Sequence, residues 1–312
     1  MDDSKNRLNE KKFGRRTFLK RFAQAAALSS AASATGCIGL IQNNEMLQLK
    51  WKEYFKKNYR LMTPQEKEET VERLERLAKI EKHMDIQMSS QNPINGVLFG
   101  YAFNLTRCEG FMECVTACVK ENNLDRQSHT QYIRIFEMEP GGMSPETGNG
   151  KYFHEVPLDN HFYMGVQCFH CENAPCIRAC PTKATWKEPD GIVVVDYDWC
   201  IGCRYCMAAC PYYGRRFNWS ASQVPYNEIT KKQHYLGNRI RPKGTMEKCT
   251  FCVQRTRAGK LPACVEACPT GARIFGNLLD PDSEIRFVLK HKKVFRLKED
   301  LATDPKFWYF ID

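Results

Sequence analysis

Cysteine is the residue type that stands out in this sequence, with 16 cysteines among 312 residues. Most of them lie in four groups with short spacings, and three of the groups end in Cys-Pro. The groups are Cys108, Cys114 and Cys118; Cys168, Cys171, Cys176 and Cys180; Cys200, Cys203, Cys206 and Cys210; and Cys249, Cys252, Cys264 and Cys268. Thiols that recur at such spacings are typical ligands of metal clusters.

The third group has the sequence CIGCRYCMAACP, which is the C-x2-C-x2-C-x3-C-P run of dicluster ferredoxins. Two intervening residues allow the chain to wrap around a cube of iron and sulfide, so that successive thiolates reach different irons. The fourth cysteine ligates a neighbouring cluster, and groups of this kind therefore work in pairs. Zinc is the alternative for an isolated C-x2-C, but four groups, three of them with Cys-Pro endings, favour iron-sulfur clusters. A disulfide framework is disfavoured because such frameworks belong to shorter chains without these clustered spacings.

The sequence around the cysteine groups predicts short strands and helices. The run GIVVVD at 191–196 predicts a strand just before the third group, and MAAC at 207–210 predicts a helix after it. Strand, cluster loop and helix repeat in this way along residues 93–312. We therefore predict an α+β fold in which residues 93–312 form a double ferredoxin-like iron-sulfur domain, made of two dicluster modules with loop insertions.

Residues 37–92 are predicted to form a helical N-terminal extension. Thr63 at the N-cap, Pro64 at the first helical position and Glu66 form the start of a helix with a capping box. An amphipathic helix packed on the body or on a partner is then predicted from the spacing of Val71, Leu74, Leu77 and Ala78. A second, shorter helix with an aromatic face is predicted upstream from Trp51, Tyr54, Phe55 and Tyr59.

Residues 1–36 resemble a twin-arginine signal peptide. A basic region with Arg15 and Arg16 precedes an apolar run of Ala and Ser, although Gly14 stands where Ser or Thr is usual. An uncleaved N-terminal membrane anchor is the alternative. Because the twin-arginine route moves folded protein, clusters can be loaded before export. We therefore expect a periplasmic location at the exported face of the inner membrane.

Cys37 stands apart from the four groups and follows Ala34-Thr35-Gly36, which resembles a lipobox. We expect a lipid anchor at Cys37, with cleavage at the A-x-A-like site of residues 32–34 as the alternative that gives a soluble product. Beyond the leader no run reaches the roughly 18 apolar residues that a transmembrane helix needs. Membrane association would therefore depend on the lipid or on a partner.

The charge of the chain argues against a nucleic-acid partner. The formal net charge is +10, but the leader contributes about half of it. The chain has no C-x-x-C-H motif for a haem of its own, no Walker A motif and no strand-linked G-x-G-x-x-G. Haem, nucleotide and flavin binding therefore have no support in the sequence.

The quoted third group resembles a known family when it is taken together with QCFHCENAPC at 167–176 and EKCTFC at 247–252. The family is that of the four-cluster electron-transfer subunits of molybdopterin oxidoreductases. The chain is similar as well to the exported subunits of nitrite- and sulfite-reduction-associated complexes and to the iron-sulfur parts of alternative complex III. The resemblance covers about residues 95–312, and it is specific for the cluster-binding module rather than for one complex.

The resemblance implies that the first group pairs with the fourth and the second with the third. Three 4Fe-4S clusters would then be held by Cys168, Cys171, Cys176 and Cys210; by Cys180, Cys200, Cys203 and Cys206; and by Cys118, Cys249, Cys252 and Cys264. The fourth cluster would be left with three thiols, those of Cys108, Cys114 and Cys268.

Phe111 stands where the missing thiol of the first group is expected. In ferredoxin relatives, loss of this cysteine typically gives a 3Fe-4S cluster, and we predict one here, with the phenyl ring filling the empty corner and excluding water. The first alternative is a four-iron cluster with a substitute ligand from Glu109, Met112 or Glu113. In the second alternative the site binds nothing and Cys108 and Cys114 are ordinary buried thiols.

Four further residues near the groups carry weaker predictions. His170 lies between two cysteines and is interpreted as a partly buried loop histidine, with tuning of a potential as the alternative. Arg204, Arg215 and Arg216 are interpreted as a solvated basic face, with a bridge to a partner surface as the alternative.

The function predicted from these features is electron transfer without catalysis in this chain. The chain would connect a membrane-embedded quinone-interacting subunit with a molybdopterin catalytic subunit or a multihaem c-type cytochrome. An iron-sulfur enzyme that uses the incompletely ligated cluster as a Lewis acid is the alternative. A metal-stabilised interaction protein without a redox role is a third hypothesis.

Overall fold

The computed structural model describes residues 61–312. The leader, Cys37 and the aromatic segment at 51–59 lie outside the described residues. The helices are α1 (Pro64–Lys82), α2 (Glu113–Glu121), α3 (Pro175–Arg178), α4 (Tyr205–Ala208), α5 (Val253–Thr256), α6 (Ala263–Glu266) and α7 (Glu284–His291). The strands are β1 (Gln87–Ser89), β2 (Phe99–Asn104), β3 (Arg134–Met138), β4 (Phe162–Val166), β5 (Thr185–Lys187), β6 (Val193–Val195), β7 (Arg215–Phe217), β8 (Lys232–His234), β9 (Met246–Lys248), β10 (Arg273–Asn277), β11 (Val294–Phe295) and β12 (Phe307–Phe310).

Helix α1 begins as its sequence predicts. The Thr63 side chain accepts a hydrogen bond from the Glu66 N–H, and the Glu66 carboxylate accepts one from the Thr63 N–H at 2.9 Å. Val71 and Leu74 are half-buried and pack against the main core, whereas Ile80 is exposed. The helix therefore covers the body with a narrow apolar stripe.

The strands repeat one plan around the four cysteine groups. Each group is preceded by a strand and followed by another, and these strands form antiparallel pairs. Strand β3 follows the first group and pairs with β4, which precedes the second group. In the same way, β5 after the second group pairs with β6 before the third, and β7 after the third group pairs with β9 before the fourth. The plan closes when β10, after the fourth group, pairs with β2, before the first.

The predicted elements around the third group are found with shifted ends. Strand β6 lies inside the predicted run at 191–196, and all three of its valines are buried. Helix α4 begins two residues before the predicted start, because Arg204 adopts a left-handed conformation (φ 65°) that ends the loop. It therefore carries Cys206 and ends before Cys210.

The core is centred on the largest sheet, in which the strand order is β10-β2-β12-β11. Its aromatic rings stack in a continuous row: Tyr101 on Phe307 at 4.9 Å between centroids, and Phe307 on Phe169 at 4.7 Å. This row joins the sheet to the loop of the second cysteine group. Within residues 61–312, no helix combines the length and the apolar character that crossing a membrane requires.

Candidate iron-sulfur cluster sites

The fifteen described cysteines are free thiols, and electrostatic interactions between neighbouring thiols allow them to be grouped into four sets. The sets are A (Cys168, Cys171, Cys176 and Cys210), B (Cys180, Cys200, Cys203 and Cys206), C (Cys118, Cys249, Cys252 and Cys264) and D (Cys108, Cys114 and Cys268). The grouping follows the pairing that the resemblance implies, which stays a prediction, since the Cys264 thiol of set C interacts with Cys114 of set D. Each set combines cysteines from two groups, so the chain must cross between groups to complete any of them.

Burial raises the pKa of several of the free thiols. It raises the pKa of Cys171 and of Cys252 to about 12, and neighbouring thiols add to both shifts. For Cys108, burial raises the pKa to about 11, although a backbone hydrogen bond from Gly110 opposes the shift. Since iron binds the thiolate form, these protons must leave when a cluster is inserted.

The cluster loops turn their backbone donors toward the sulfurs by means of left-handed residues. The second residue after the first cysteine has a positive φ in every group: Gly110 (82°), His170 (44°), Gly202 (73°) and Phe251 (52°). The Phe251 N–H donates to the Cys249 sulfur at 3.4 Å, and Gly202 hydrogen-bonds the Cys200 sulfur. Such donors stabilise the negative charge of cluster sulfurs.

Side chains add further donors around set C. The Asn122 amide lies 3.5 Å from the Cys118 sulfur and 3.7 Å from the Cys252 sulfur, so it bridges two thiols from different groups. The Tyr101 hydroxyl lies 3.4 Å from the Cys264 sulfur. A set of four buried thiols surrounded by N–H and O–H donors fits a 4Fe-4S cluster.

Sets A, B and D reach the surface, whereas set C does not. All four cysteines of set C are buried, while Cys168 and Cys210 of set A are half-buried. Set B has two half-buried cysteines, Cys180 and Cys203. In set D, Cys108 and Cys268 are half-buried. Electrons would therefore enter and leave through the other sets, with set C in the interior.

The prediction that Phe111 fills and closes the empty corner of set D is wrong. The side chain of Phe111 is 43% exposed. The Gly110 carbonyl accepts a hydrogen bond from the Tyr152 hydroxyl at 2.7 Å, and a Cβ on Gly110 would lie 2.6 Å from the Tyr163 ring. The two tyrosines already occupy the buried side of this loop, and the phenyl ring is left at the surface.

The exposure of Phe111 bears on the alternatives for set D. Glu109 and Met112 are half-buried and Glu113 is exposed, so all three substitute ligands stay open. Because the phenyl ring does not close the corner of set D, the Lewis-acid enzyme also stays an alternative prediction.

The prediction of a solvated basic face near the third group is wrong for Arg215, one of its three arginines. Arg204 is exposed, and its guanidinium lies 4.8 Å from the centre of the Trp219 ring. The Arg216 guanidinium donates to the carbonyls of Gln131 and Tyr213 at 2.9 and 2.7 Å. Arg215 is only 1% exposed, because its position at the start of β7 faces the thiols rather than solvent.

His170 is fully buried, not partly buried as predicted. Its Nδ1 accepts a hydrogen bond from the Val193 N–H at 2.9 Å, and its ring stacks on Phe251 at 3.7 Å between centroids. Burial lowers the pKa of His170 well below its ordinary value, so the ring is neutral. Because His170 and Phe251 occupy equivalent positions in their groups, the stack joins the second group to the fourth.

The side-chain donors Asn122 and Tyr101 and the buried cation Arg273 were not predicted from the sequence. Asn122 and Tyr101 carry no spacing signal, since Asn122 reaches the sulfurs from the end of α2 and Tyr101 from β2. Arg273 does carry a signal in the sequence: it follows Cys268 at the same offset as Arg215 follows Cys210.

Comparisons with known proteins identify the type of domain. Residues 160–228 and 220–278 match the family model of the 4Fe-4S dicluster domain. The fold and the thiol sets thus define a protein with ferredoxin-like 4Fe-4S dicluster domains.

Curated relatives narrow the family further. A selenate reductase subunit of Mesobacillus selenatarsenatis is 33% identical over 310 residues, which are 96% of this chain and 97% of the relative. Protein NrfC of Escherichia coli is 37% identical over 69% of this chain and 81% of its own length. The Hdr-like menaquinol oxidoreductase iron-sulfur subunit 1 of Archaeoglobus fulgidus is 40% identical over 63% of this chain and 71% of its own length. The chain therefore belongs to the iron-sulfur electron-transfer subunits of oxidoreductase complexes.

Proposed function

We propose that this chain carries electrons through four iron-sulfur clusters, three 4Fe-4S clusters at sets A, B and C and one 3Fe-4S cluster at set D. The observation that carries the proposal is the thiol count of the sets. Sets A, B and C each have four cysteines, whereas Cys108, Cys114 and Cys268 are joined by no fourth thiol within residues 61–312. A cubane corner without a thiolate holds its iron weakly, and the three-iron form is then the stable one.

The clusters supply one-electron redox chemistry, and the chain supplies the ligands, the hydrogen bonds to sulfur and the exclusion of water. The interior position of set C supports its place in the middle of the path. Set D reaches the surface and would hold the cluster of higher potential, because an oxidised three-iron cluster is all-ferric. We therefore place set D at the quinone end.

The proposed partners are a membrane-embedded quinone-interacting subunit on one side and a molybdopterin catalytic subunit or a multihaem c-type cytochrome on the other. The support comes from relatives whose names describe a selenate reductase subunit and a menaquinol oxidoreductase subunit. The leader-like residues 1–36 support export to the periplasm, and Cys37 supports attachment through a lipid.

The test is an electron paramagnetic resonance (EPR) spectrum of the anaerobically isolated protein after mild oxidation, with iron quantified on the same sample. Oxidised four-iron clusters are silent, whereas an oxidised three-iron cluster has an unpaired spin. A near-stoichiometric isotropic signal is expected. Silence with iron for four cubanes would contradict the three-iron proposal and indicate a substitute ligand; silence with iron for three cubanes would mean that set D is empty.

A further inference from the structure

Two buried arginines occupy equivalent positions in the two halves of the cluster domain. Arg215 lies five residues after Cys210 and opens β7, and Arg273 lies five residues after Cys268 and opens β10. The second group has Thr185 at this offset, and the first group has Asn123. Each pair of groups therefore contains one arginine at this position.

Arg215 lies between sets A and B. Its closest acidic neighbours are the thiols of Cys176 and Cys168 from set A and of Cys206 from set B. The Nη1 atom donates to the Thr185 hydroxyl at 3.2 Å, and the guanidinium also hydrogen-bonds the Cys176 thiol. The guanidinium thus directs its donors at a region lined by sulfur.

Arg273 has the same relation to sets C and D. It is 3% exposed, and its closest acidic neighbours are Cys114 of set D, the Tyr101 hydroxyl and Cys264 of set C. The Nη1 atom donates to the Tyr101 hydroxyl at 3.1 Å and to the Gln167 side chain at 2.9 Å. Nη2 has no partner among residues 61–312.

Neither cation has a carboxylate to balance it among residues 61–312. In this part of the chain, other arginines form ion pairs with carboxylates, as Arg241 does with Glu247 at 2.9 Å. Arg215 and Arg273 form no such ion pair there. A buried charge without a counter-ion is costly, so the compensating negative charge must come from the sulfurs. Burial by itself would lower the pKa of both guanidinium groups, but the surrounding thiols outweigh it and raise the pKa.

We propose that Arg215 and Arg273 are redox-tuning residues, and that each raises the midpoint potentials of the two clusters that flank it. The inference rests on the proposed loading of sets A to D. Reduction of a cluster adds negative charge next to a fixed positive charge in a region of low dielectric, which stabilises the reduced state. Arginine keeps its proton in both oxidation states, so no proton transfer accompanies the effect.

The experiment is an anaerobic redox titration, followed by EPR, of the full chain and of four variants, R215Q, R215K, R273Q and R273K. Glutamine keeps a polar head but removes the charge, whereas lysine keeps the charge. In R273Q, the set D signal of the oxidised protein is expected to shift to lower potential. The expected shift is about tenfold in the ratio of oxidised to reduced cluster at fixed potential, which is about 59 mV for a one-electron couple.

R215Q is the matched control for set D. It is expected to leave the set D signal at the wild-type potential. Two of the reduced four-iron signals are expected to shift to lower potential by an amount similar to that in R273Q. The lysine variants are expected to stay close to the wild type. Lys248 is another buried cation, and it lies near the Cys249 thiol; it donates to the Cys249 carbonyl at 2.6 Å and is unchanged in all variants.

Unchanged potentials in iron-loaded R215Q and R273Q would overturn the inference. Equal shifts in the lysine and glutamine variants would also overturn it, because the charge would then not be the cause. If one glutamine variant fails to take up iron, the other position provides the same comparison. If neither takes up iron while the lysine variants load normally, the arginines are structural and the inference fails. Wild-type protein without iron or spin would instead contradict the proposed function itself.

Discussion

Phe111 occupies a cysteine position in a loop that otherwise keeps the features of a cluster loop. Gly110 has the left-handed conformation found at the equivalent position of every group, and its N–H hydrogen-bonds the Cys108 sulfur. The loop therefore has the geometry to hold a cluster and lacks one ligand. A single substitution is enough to restore that ligand.

We expect Phe111→Cys to convert the three-iron cluster of set D into a four-iron cluster. The new thiol completes the C-x2-C-x2-C-x3-C spacing, and the surface position of Phe111 leaves room for the change. The isotropic EPR signal of the oxidised protein should disappear, and bound iron should rise by about one atom per chain.

Phe111→Leu is the control, since leucine is apolar and cannot bind iron. Its spectrum should match that of the wild type. A cysteine variant that keeps the isotropic signal at full intensity would argue against a three-iron site with an open corner at residue 111.

At the scale of elements, the cluster loops depend on close approaches between backbones as well as on thiols. Gly202 combines a φ of 73° with a contact that a side chain cannot make, because a Cβ there would lie 2.2 Å from the Gly244 carbonyl oxygen. Gly259 has nearly the same φ, 74°, but no atom lies within 4 Å of its Cβ position. Substitutions at the two glycines therefore distinguish the free-energy cost of the left-handed conformation, which both share, from that of the clash with Gly244, which only Gly202 has.

Gly202→Ala is expected to displace the loop of the third group and to lower the iron content of sets A and B. The left-handed conformation alone costs alanine about 1–2 kcal/mol, and the clash with fixed backbone adds to it. Gly259→Ala should lose only the first amount and keep its iron. The measurements are the iron content and the apparent melting temperature of the two variants. Equal iron loss in both would show that the contact with Gly244 is not needed for iron binding.

Buried ion pairs tie the elements together away from the thiols. Arg257, which follows α5, pairs with Asp190 at 3.0 Å and with Glu188 at 3.2 Å in the turn between β5 and β6, and it donates to the Gln91 carbonyl at 2.8 Å. The guanidinium therefore joins three segments that are distant in sequence.

Arg257→Met is expected to destabilise the fold by about 3–5 kcal/mol, because it leaves two buried carboxylates without their partner. Arg76→Met is the control: its pair with Glu72 on α1 is exposed, and its removal should cost about 0–1 kcal/mol. Apparent melting temperatures of the anaerobic holoproteins measure both effects. A drop for Arg257→Met no larger than that for Arg76→Met would show that the buried network contributes little.

At the scale of the whole molecule, the arrangement of the sets defines a path. The wholly buried set C has neighbours in two other sets: Cys249 lies near Cys168 of set A, and Cys264 lies near Cys114 of set D. The domain thus offers an interior site flanked by sites that reach the surface. If the sets hold clusters as proposed, electrons would pass through the chain only when partners dock on at least two faces, as expected of a subunit of a larger complex.

Attachment to the membrane is predicted to depend on Cys37. Replacement by alanine should remove the lipid and release the protein from washed membranes, provided that no partner holds it there. Mass spectrometry of the mature N-terminus checks the modification directly. A Ser33→Thr variant, outside the lipobox, is the control; an unmodified cysteine in wild-type protein would favour the A-x-A-like cleavage site instead.

Features that depend on local spacing could be predicted from the amino-acid sequence alone. The cysteine runs specify cluster loops because successive thiolates must reach neighbouring irons, and the Thr63–Glu66 capping box specifies the start of α1 because its partners are three residues apart. The strand within 191–196 follows from a short run of β-branched residues. The ferredoxin-like character of the chain is therefore encoded in contacts between residues that are close in sequence.

The side chains that face sulfur, and those that face water, are determined by the tertiary fold. Arg215 was predicted to belong to a basic face and is buried between two sets of thiols, whereas Phe111 was expected to close a corner and lies at the surface. Both outcomes depend on residues far away in sequence. Arg215 contacts Thr185 and the Cys176 thiol. The loop of Phe111 packs against Tyr152 and Tyr163. Spacing along the chain carries no information about such contacts, because they form only when strands from different groups pair.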